Sequence, residues 1–329
     1  MADRMLAAGW LAMYGRGGVV WVSTADTTAS GDGCLEQRTL RAHSSQTRNN
    51  PRPVCTYEGA HLHALLPPLM LAYKTFRNPE ARAWVVFIHG AGGSSAVWFK
   101  QLRDFRVHFN LLLLDLRGHG RSSGYHGNGE PYTLRAIGQD VLDVLDAEGI
   151  ENAHFVGVSL GTILIREIVD MVPDRVSSVI YAGAVAGFTI PAKALITAGQ
   201  ALRLVIPFRT LYATFAWIIM PGAKAAESRR IFRREARQVA PDEFHRWWHL
   251  VPEVRQRLSK WSARDAVCRT LYLMGSRDFM FLPPARRQAD PSRNAYLQVI
   301  DGVGHVCNIE RPAVFNEMAI AFLSGKKVG

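Results

Sequence analysis

From residue 69 onward the chain alternates short, almost unbroken apolar runs with longer stretches in which apolar side chains recur every three or four positions. The runs at 69–76, 84–89, 111–116, 154–158, 176–181, 270–274 and 295–300 predict strands. Trp84-Val85-Val86-Phe87-Ile88 offers no polar position to turn towards solvent, the pattern of a strand covered on both faces. Leu134, Ile137, Val141, Val144 and Leu145 share one helical face, which predicts a helix over 133–148 with Gly149 suited to close it. Helices are likewise expected over 160–172, where Pro173 stops the period, and over 312–323. Strands alternating with helices imply an α/β fold with a doubly wound, mainly parallel sheet.

The alternation is interrupted twice. Residues 187–264 carry helix formers, arginine and tryptophan and are too long for a loop. They predict an inserted helical cap over the carboxyl edge of the sheet, where open α/β sheets bind ligands. The α/β core is then divided into 54–186 and 265–329. In residues 1–53, Gly17-Gly18, Gly31-Asp32-Gly33 and the polar run 41–53 break every period. That stretch is expected to be a loosely structured N-terminal extension without regular elements. Pro67-Pro68 directly precede the first strand of the core, where they would alter an opening hairpin.

Charge adds one regional feature. The formal net charge is +11, and residues 187–264 hold fourteen Lys/Arg against five Asp/Glu, a local excess of +9. No nucleic-acid-binding pattern accompanies it, so nucleic acid is not an expected partner. Contact with a membrane surface is conceivable, but basic and apolar residues mix here without one clear amphipathic stripe, and a solvated helix face is the favoured reading. The four cysteines show neither CxxC pairing nor a metal-ligand pattern. The longest uncharged apolar stretch, residues 210–223, is too short to cross a bilayer. No signal peptide is convincing in 5–14, and a cytoplasmic location is the default expectation.

Two patterns carry chemistry. Gly157-Val158-Ser159-Leu160-Gly161 joins a β run to a helical period. A sharp strand-to-helix turn would push Ser159 forward as a nucleophile, with small residues on either side allowing the close approach. His89-Gly90-Ala91-Gly92-Gly93 follows a buried strand. Its glycines free backbone N–H groups, so the amides of Ala91 and Leu160 are candidates for an oxyanion hole.

With Asp115-Leu116-Arg117-Gly118-His119-Gly120-Arg121-Ser122, these patterns resemble the α/β-hydrolase superfamily, in particular its cap-bearing serine esterase and lipase-like branch, from about residue 69 to 323. The resemblance implies a triad in the order Ser, acid, His. It points to Asp278, after the run 270–274, and to His305, after 295–300, with the 115–122 segment structural. Asp265 and Asp301 are rival acids. His119 and His126, on a loop near the expected mouth, are open both as substrate contacts and as solvated residues. Cys307 is read as packing.

Haloalkane dehalogenases and epoxide hydrolases of this fold use Asp where this chain has Ser159. Serine argues for an acyl-enzyme, without metal or organic cofactor. Leu195, Phe215, Trp217, Trp247 and Trp248 in the insertion favour a small or medium lipophilic carboxylic ester as the small-molecule substrate. Two alternatives stay open: C–C hydrolase, lactonase or eliminating-synthase chemistry with the same triad, and a catalytically dead binding protein.

Overall fold

A computed structural model describes residues 10–15, 18–23 and 70–326, apart from 128, 203–204 and 263–265. The chain divides into two compact units, Met1–Tyr57 and Glu58–Gly329.

In the first unit the described residues form an antiparallel hairpin, β1 (Trp10–Gly15) and β2 (Gly18–Ser23). This corrects the expectation that no element forms before residue 54. Val19, Val20, Trp21 and Val22 have the β-branched and aromatic character that favours strands. Gly15 pairs with Gly18, leaving two residues between the strands, so the glycines punctuate a hairpin rather than abolish structure. Gly31-Asp32-Gly33 and residues 41–53, also expected to lack regular structure, lie outside the described residues.

The second unit is built on seven strands: β3 (Tyr73–Phe76), β4 (Trp84–Ile88), β5 (Asn110–Leu114), β6 (Ala153–Val158), β7 (Val176–Ala182), β8 (Arg269–Gly275) and β9 (Ala295–Ile300). Their order is β3-β5-β4-β6-β7-β8-β9. Only β3 runs antiparallel to its neighbour. The strand expected over 69–76 is shortened to its last four residues.

Helices between the strands are α1 (Phe99–Phe105), α2 (Leu134–Ala147) and α3 (Leu160–Met171). α1 lies in a stretch to which sequence periodicity assigned no helix. Thr133 caps α2 by accepting the Ala136 N–H at 3.1 Å, and Gly149 closes it at φ 66°. Between β7 and β8 the described residues form the α-helices α4 (Ile190–Leu202), α5 (Phe208–Ile219), α6 (Ala226–Ala236), α7 (Pro241–Trp248) and α8 (Val251–Trp261). After β8 follow α9 (Leu282–Gln288), the short α10 (Cys307–Glu310) and α11 (Pro312–Leu323).

α2 packs with α3, and α1 with α11. Val85, Phe87, Leu111, Phe155, Val179 and Leu271 are almost fully buried, as strands covered on both faces require. Phe87 anchors one side of this core, its ring 5.0 Å from Trp98 and 5.2 Å from Phe105. The chain leaves β4 towards β5 on one side and returns through β6 towards β7 on the other. The crevice beyond the carboxyl ends of β4 and β6 is therefore the topological switch point, where this class of sheet binds ligands.

Candidate active site

Ser159 ends the turn between β6 and α3 with φ 54° and ψ −118°. This is a sparsely populated conformation, at a cost on the order of 1–3 kcal/mol, and its surroundings must hold it. The Ser159 N–H donates to the Ala182 carbonyl at 3.1 Å. Its own carbonyl accepts from Thr162 Oγ1 at 2.6 Å and from the Thr162 N–H at 2.9 Å. Thr162 Oγ1 also accepts the Val185 N–H at 3.2 Å, so one hydroxyl ties the turn to the segment after β7. The flanking glycines are demanded by space. A Cβ on Gly157 would stand 2.5 Å from Ile165 Cδ1, and one on Gly161 would stand 2.4 Å from the Ile88 carbonyl oxygen.

Asp278 follows β8 and His305 follows β9. His305 Nδ1 lies 2.8 Å from Asp278 Oδ2, and each residue is only 2% exposed. The other carboxylate oxygen accepts the Phe281 N–H at 3.2 Å. A carboxylate at Nδ1 keeps the proton there and leaves Nε2 as the basic nitrogen. Nε2 is buried, has no hydrogen-bond partner among the described residues, and belongs to a ring packed 4.8 Å from that of Phe281. The Ala182-Gly183 step links the dyad to the serine. Ala182 holds Ser159, and a Cβ on Gly183 would lie 3.1 Å from His305 Nδ1. Of the rival acids, Asp301 is exposed and accepts from Ser276 Oγ at 3.0 Å, whereas Asp265 lies outside the described residues.

The loop after β4 approaches the same turn, because a Cβ on Gly90 would lie 3.2 Å from Ser159 Cβ. The Gly90 carbonyl accepts from His89 Nδ1 at 2.8 Å and from the Gly93 N–H at 3.0 Å. These bonds fix the peptide plane whose opposite end is the Ala91 N–H. The next plane is held at both ends: the Tyr212 hydroxyl donates to the Ala91 carbonyl, and the Gly92 N–H donates to His119 Nε2 at 2.9 Å. Leu160 opens α3, so its N–H has no intrahelical partner.

Two buried imidazoles thus brace the loop as neutral rings. His89 Nε2 accepts the Leu116 N–H at 2.9 Å, and His119 Nδ1 donates to the Arg117 carbonyl at 2.8 Å. Burial lowers the pKa of both, and that of His119 is pulled down to about 3 by burial and by the neighbouring His89. His119 is therefore neither a solvated loop residue nor an open substrate contact, because its ring points back to the Gly92 N–H. The rest of the 115–122 segment is architectural. Asp115 accepts the N–H groups of Ser95 and Arg121, at 2.6 and 2.9 Å, and Arg117 forms a buried pair with Asp140.

The insertion supplies contacts that sequence patterns did not reveal. Besides Tyr212 on α5, Glu235 on α6 accepts from Ser94 Oγ at 2.6 Å, and Trp247 Nε1 on α7 donates to the Arg117 carbonyl at 3.1 Å. Buried Glu243 accepts from the Tyr132 hydroxyl and pairs with His126 at 2.8 Å. His126 is thus half-exposed and paired. The signal available in the sequence was the scarcity of acids in a basic insertion: four of the five retained there meet specific partners. Cys307 is fully buried, its Sγ 3.4 Å from the Leu273 carbonyl, and burial pushes its thiol up to about 12. Among the described residues no cluster of His, Cys, Asp or Glu is arranged to hold a metal ion.

Residues 85–318 match the alpha/beta hydrolase family. The chain belongs to this family. Among its alpha/beta hydrolase relatives, RutD of Stutzerimonas stutzeri, named as a carbamate hydrolase, is 26% identical over 259 residues, covering 75% of this chain and 93% of that protein. 3-Oxoadipate enol-lactonase 1 of Acinetobacter baylyi is 39% identical over 84 residues, only 26% of this chain and 30% of the lactonase. The crystal structure of a hydrolase from Pseudomonas aeruginosa superposes with a TM-score of 0.65 at 25% identity, over 77% of this chain and 94% of that one. Within this hydrolase family the bond cleaved differs between relatives, so the family defines the chemistry only coarsely.

Proposed function

We propose that the protein is a serine hydrolase cleaving a carboxylic ester through an acyl-enzyme, with Ser159, His305 and Asp278 as its triad. The observation that carries this reading is the buried His305–Asp278 pair, whose Nε2 is left without a partner beside a strained serine turn. In this reading His305 Nε2 takes the Ser159 proton as Oγ attacks the carbonyl carbon. Asp278 holds the ring and stabilises the imidazolium. The Ala91 and Leu160 N–H groups receive the oxyanion, His305 then protonates the leaving alcohol, and water repeats the sequence on the acyl-enzyme. The apolar side chains of the insertion support a small to medium lipophilic substrate.

A lactone is a cyclic ester and needs the same steps. The matched segment of the enol-lactonase makes this the second reading. Nitrophenyl esters of graded acyl length, set beside simple lactones, test the substrate class. Fluorophosphonate labelling tests the nucleophile: Ser159→Ala is expected to abolish labelling and lower kcat by about 10⁴–10⁶ while far-UV circular dichroism is unchanged. Turnover retained by Ser159→Ala would defeat the assignment.

A further inference from the structure

The charge of the insertion is sorted in space. Four of its five acids turn to the core: Glu227 pairs with Lys100 at 2.9 Å, Glu235 meets Ser94, Glu243 meets Tyr132 and His126, and Glu253 accepts the Leu134 N–H at 3.2 Å. Arg246, Arg257 and Arg234 pair with Glu243, Glu167 and Glu235 at 2.9, 2.7 and 2.8 Å, whereas the other arginines of the α6 row meet no carboxylate among the described residues. Arg229, Arg230, Arg233, Arg234 and Arg237 recur at helical spacing along α6 and its end, and line one wall of an open groove of about 960 Å³. The facing wall is α5, with Trp217 63% exposed and Ile218 37% exposed. Among the described residues no carboxylate lines this groove.

The amphipathic stripe that the linear sequence lacked is thus assembled from two helices, one basic and one apolar. Arg229 lies over the Trp217 ring at 5.5 Å and donates to the Gly222 carbonyl at 2.7 Å, which fixes the two walls together without neutralising the charge. Like charges at i and i+4, as in Arg229/Arg233 and Arg233/Arg237, weaken a helix standing in water. An anionic surface would remove that repulsion. Exposed tryptophan and isoleucine beside the arginines suit the headgroup–acyl boundary of a bilayer, and Ile218 offers nothing to a polyanion such as RNA.

We propose that the groove between α5 and α6 is a docking surface for bilayers containing anionic phospholipid. The arginines lie on headgroup phosphates, and Trp217 with Ile218 enters the interfacial layer. This surface is independent of the catalytic assignment. The test is co-sedimentation of the full chain with phosphatidylserine-containing vesicles and with pure phosphatidylcholine vesicles. Binding is expected to the former only, strong at low ionic strength and weaker as salt screens the charges. Arg230→Gln with Arg233→Gln, both exposed positions, should weaken partitioning roughly fivefold for each charge removed, whereas Arg103→Gln on the core should not. Trp217→Ser should weaken binding to anionic vesicles even where salt has screened the arginines. Absence of sedimentation, equal binding to both vesicle types, loss of binding in Arg103→Gln equal to that in the groove variant, or tighter binding to single-stranded RNA at matched salt would overturn the proposal.

Discussion

Acid should loosen the loop that carries Ala91, and His119 provides the measure. Its Nε2 accepts the Gly92 N–H, so a proton there would set two donors against each other at a buried site. The folded-state pKa of about 3 lies below the ordinary value of 6.5. The sign follows from proton uptake. Above about pH 6.5 both folded and unfolded chains hold the ring neutral. Below it the unfolded chain gains a proton that the folded chain refuses, and stability is lost progressively towards pH 3. Each pH unit inside that window costs roughly 1.4 kcal/mol, or about 2 kcal/mol by pH 5. His89, also lowered by burial, adds in the same direction. The assay is urea unfolding followed by circular dichroism at about pH 7.5 and about pH 5, on the natural chain and on His119→Gln. Glutamine keeps an acceptor but cannot titrate. The variant is less stable at neutral pH if its geometry is imperfect, but its further loss on acidification should be smaller by about 2 kcal/mol. Parallel losses in both proteins would refute the reasoning, because they would place the acid sensitivity elsewhere.

Two substitutions probe the same region by other means. Gly161→Ala puts a Cβ 2.4 Å from the Ile88 carbonyl oxygen and 2.8 Å from that of His89, a clash with rigid backbone at the end of β4. It should cost about 3 kcal/mol or more, read as a lowered urea midpoint, with activity lost in the fraction that remains folded. Tyr212→Phe removes the donor to the Ala91 carbonyl. A loss of about 1–3 kcal/mol in stability is expected, with kcat falling more than KM rises if the loop loses its alignment; unchanged stability and kcat would show the bond to be immaterial.

The sheet, the three helices over 134–147, 160–171 and 312–323, and the family were legible in the sequence alone. Those features depend on local pattern: the run 84–88 is too short for a helix and rich in β-branched and aromatic residues, so it reads as a buried strand, and Gly157 and Gly161 mark a turn that no bulkier residue fits. The same locality made the Ser159 turn legible, while Asp278 and His305 came only from the Ser, acid, His order that the family resemblance implies. What the sequence withheld were relations between distant segments. The hairpin Trp10–Ser23 passed unseen because its glycines were read as breakers and not as the connection between two β-prone runs. The role of His119 stays open in the sequence, between substrate contact and solvated residue, because nothing in its neighbours reveals that Gly92, 27 positions away, needs an acceptor. Tyr212, Glu235 and Glu243 acquire roles only when the insertion folds down on the 89–126 region, and the arginine stripe becomes amphipathic only when α5 lies beside α6. Burial and hydrogen-bond partnership are properties of pairs, and for these residues the partner is set by tertiary packing.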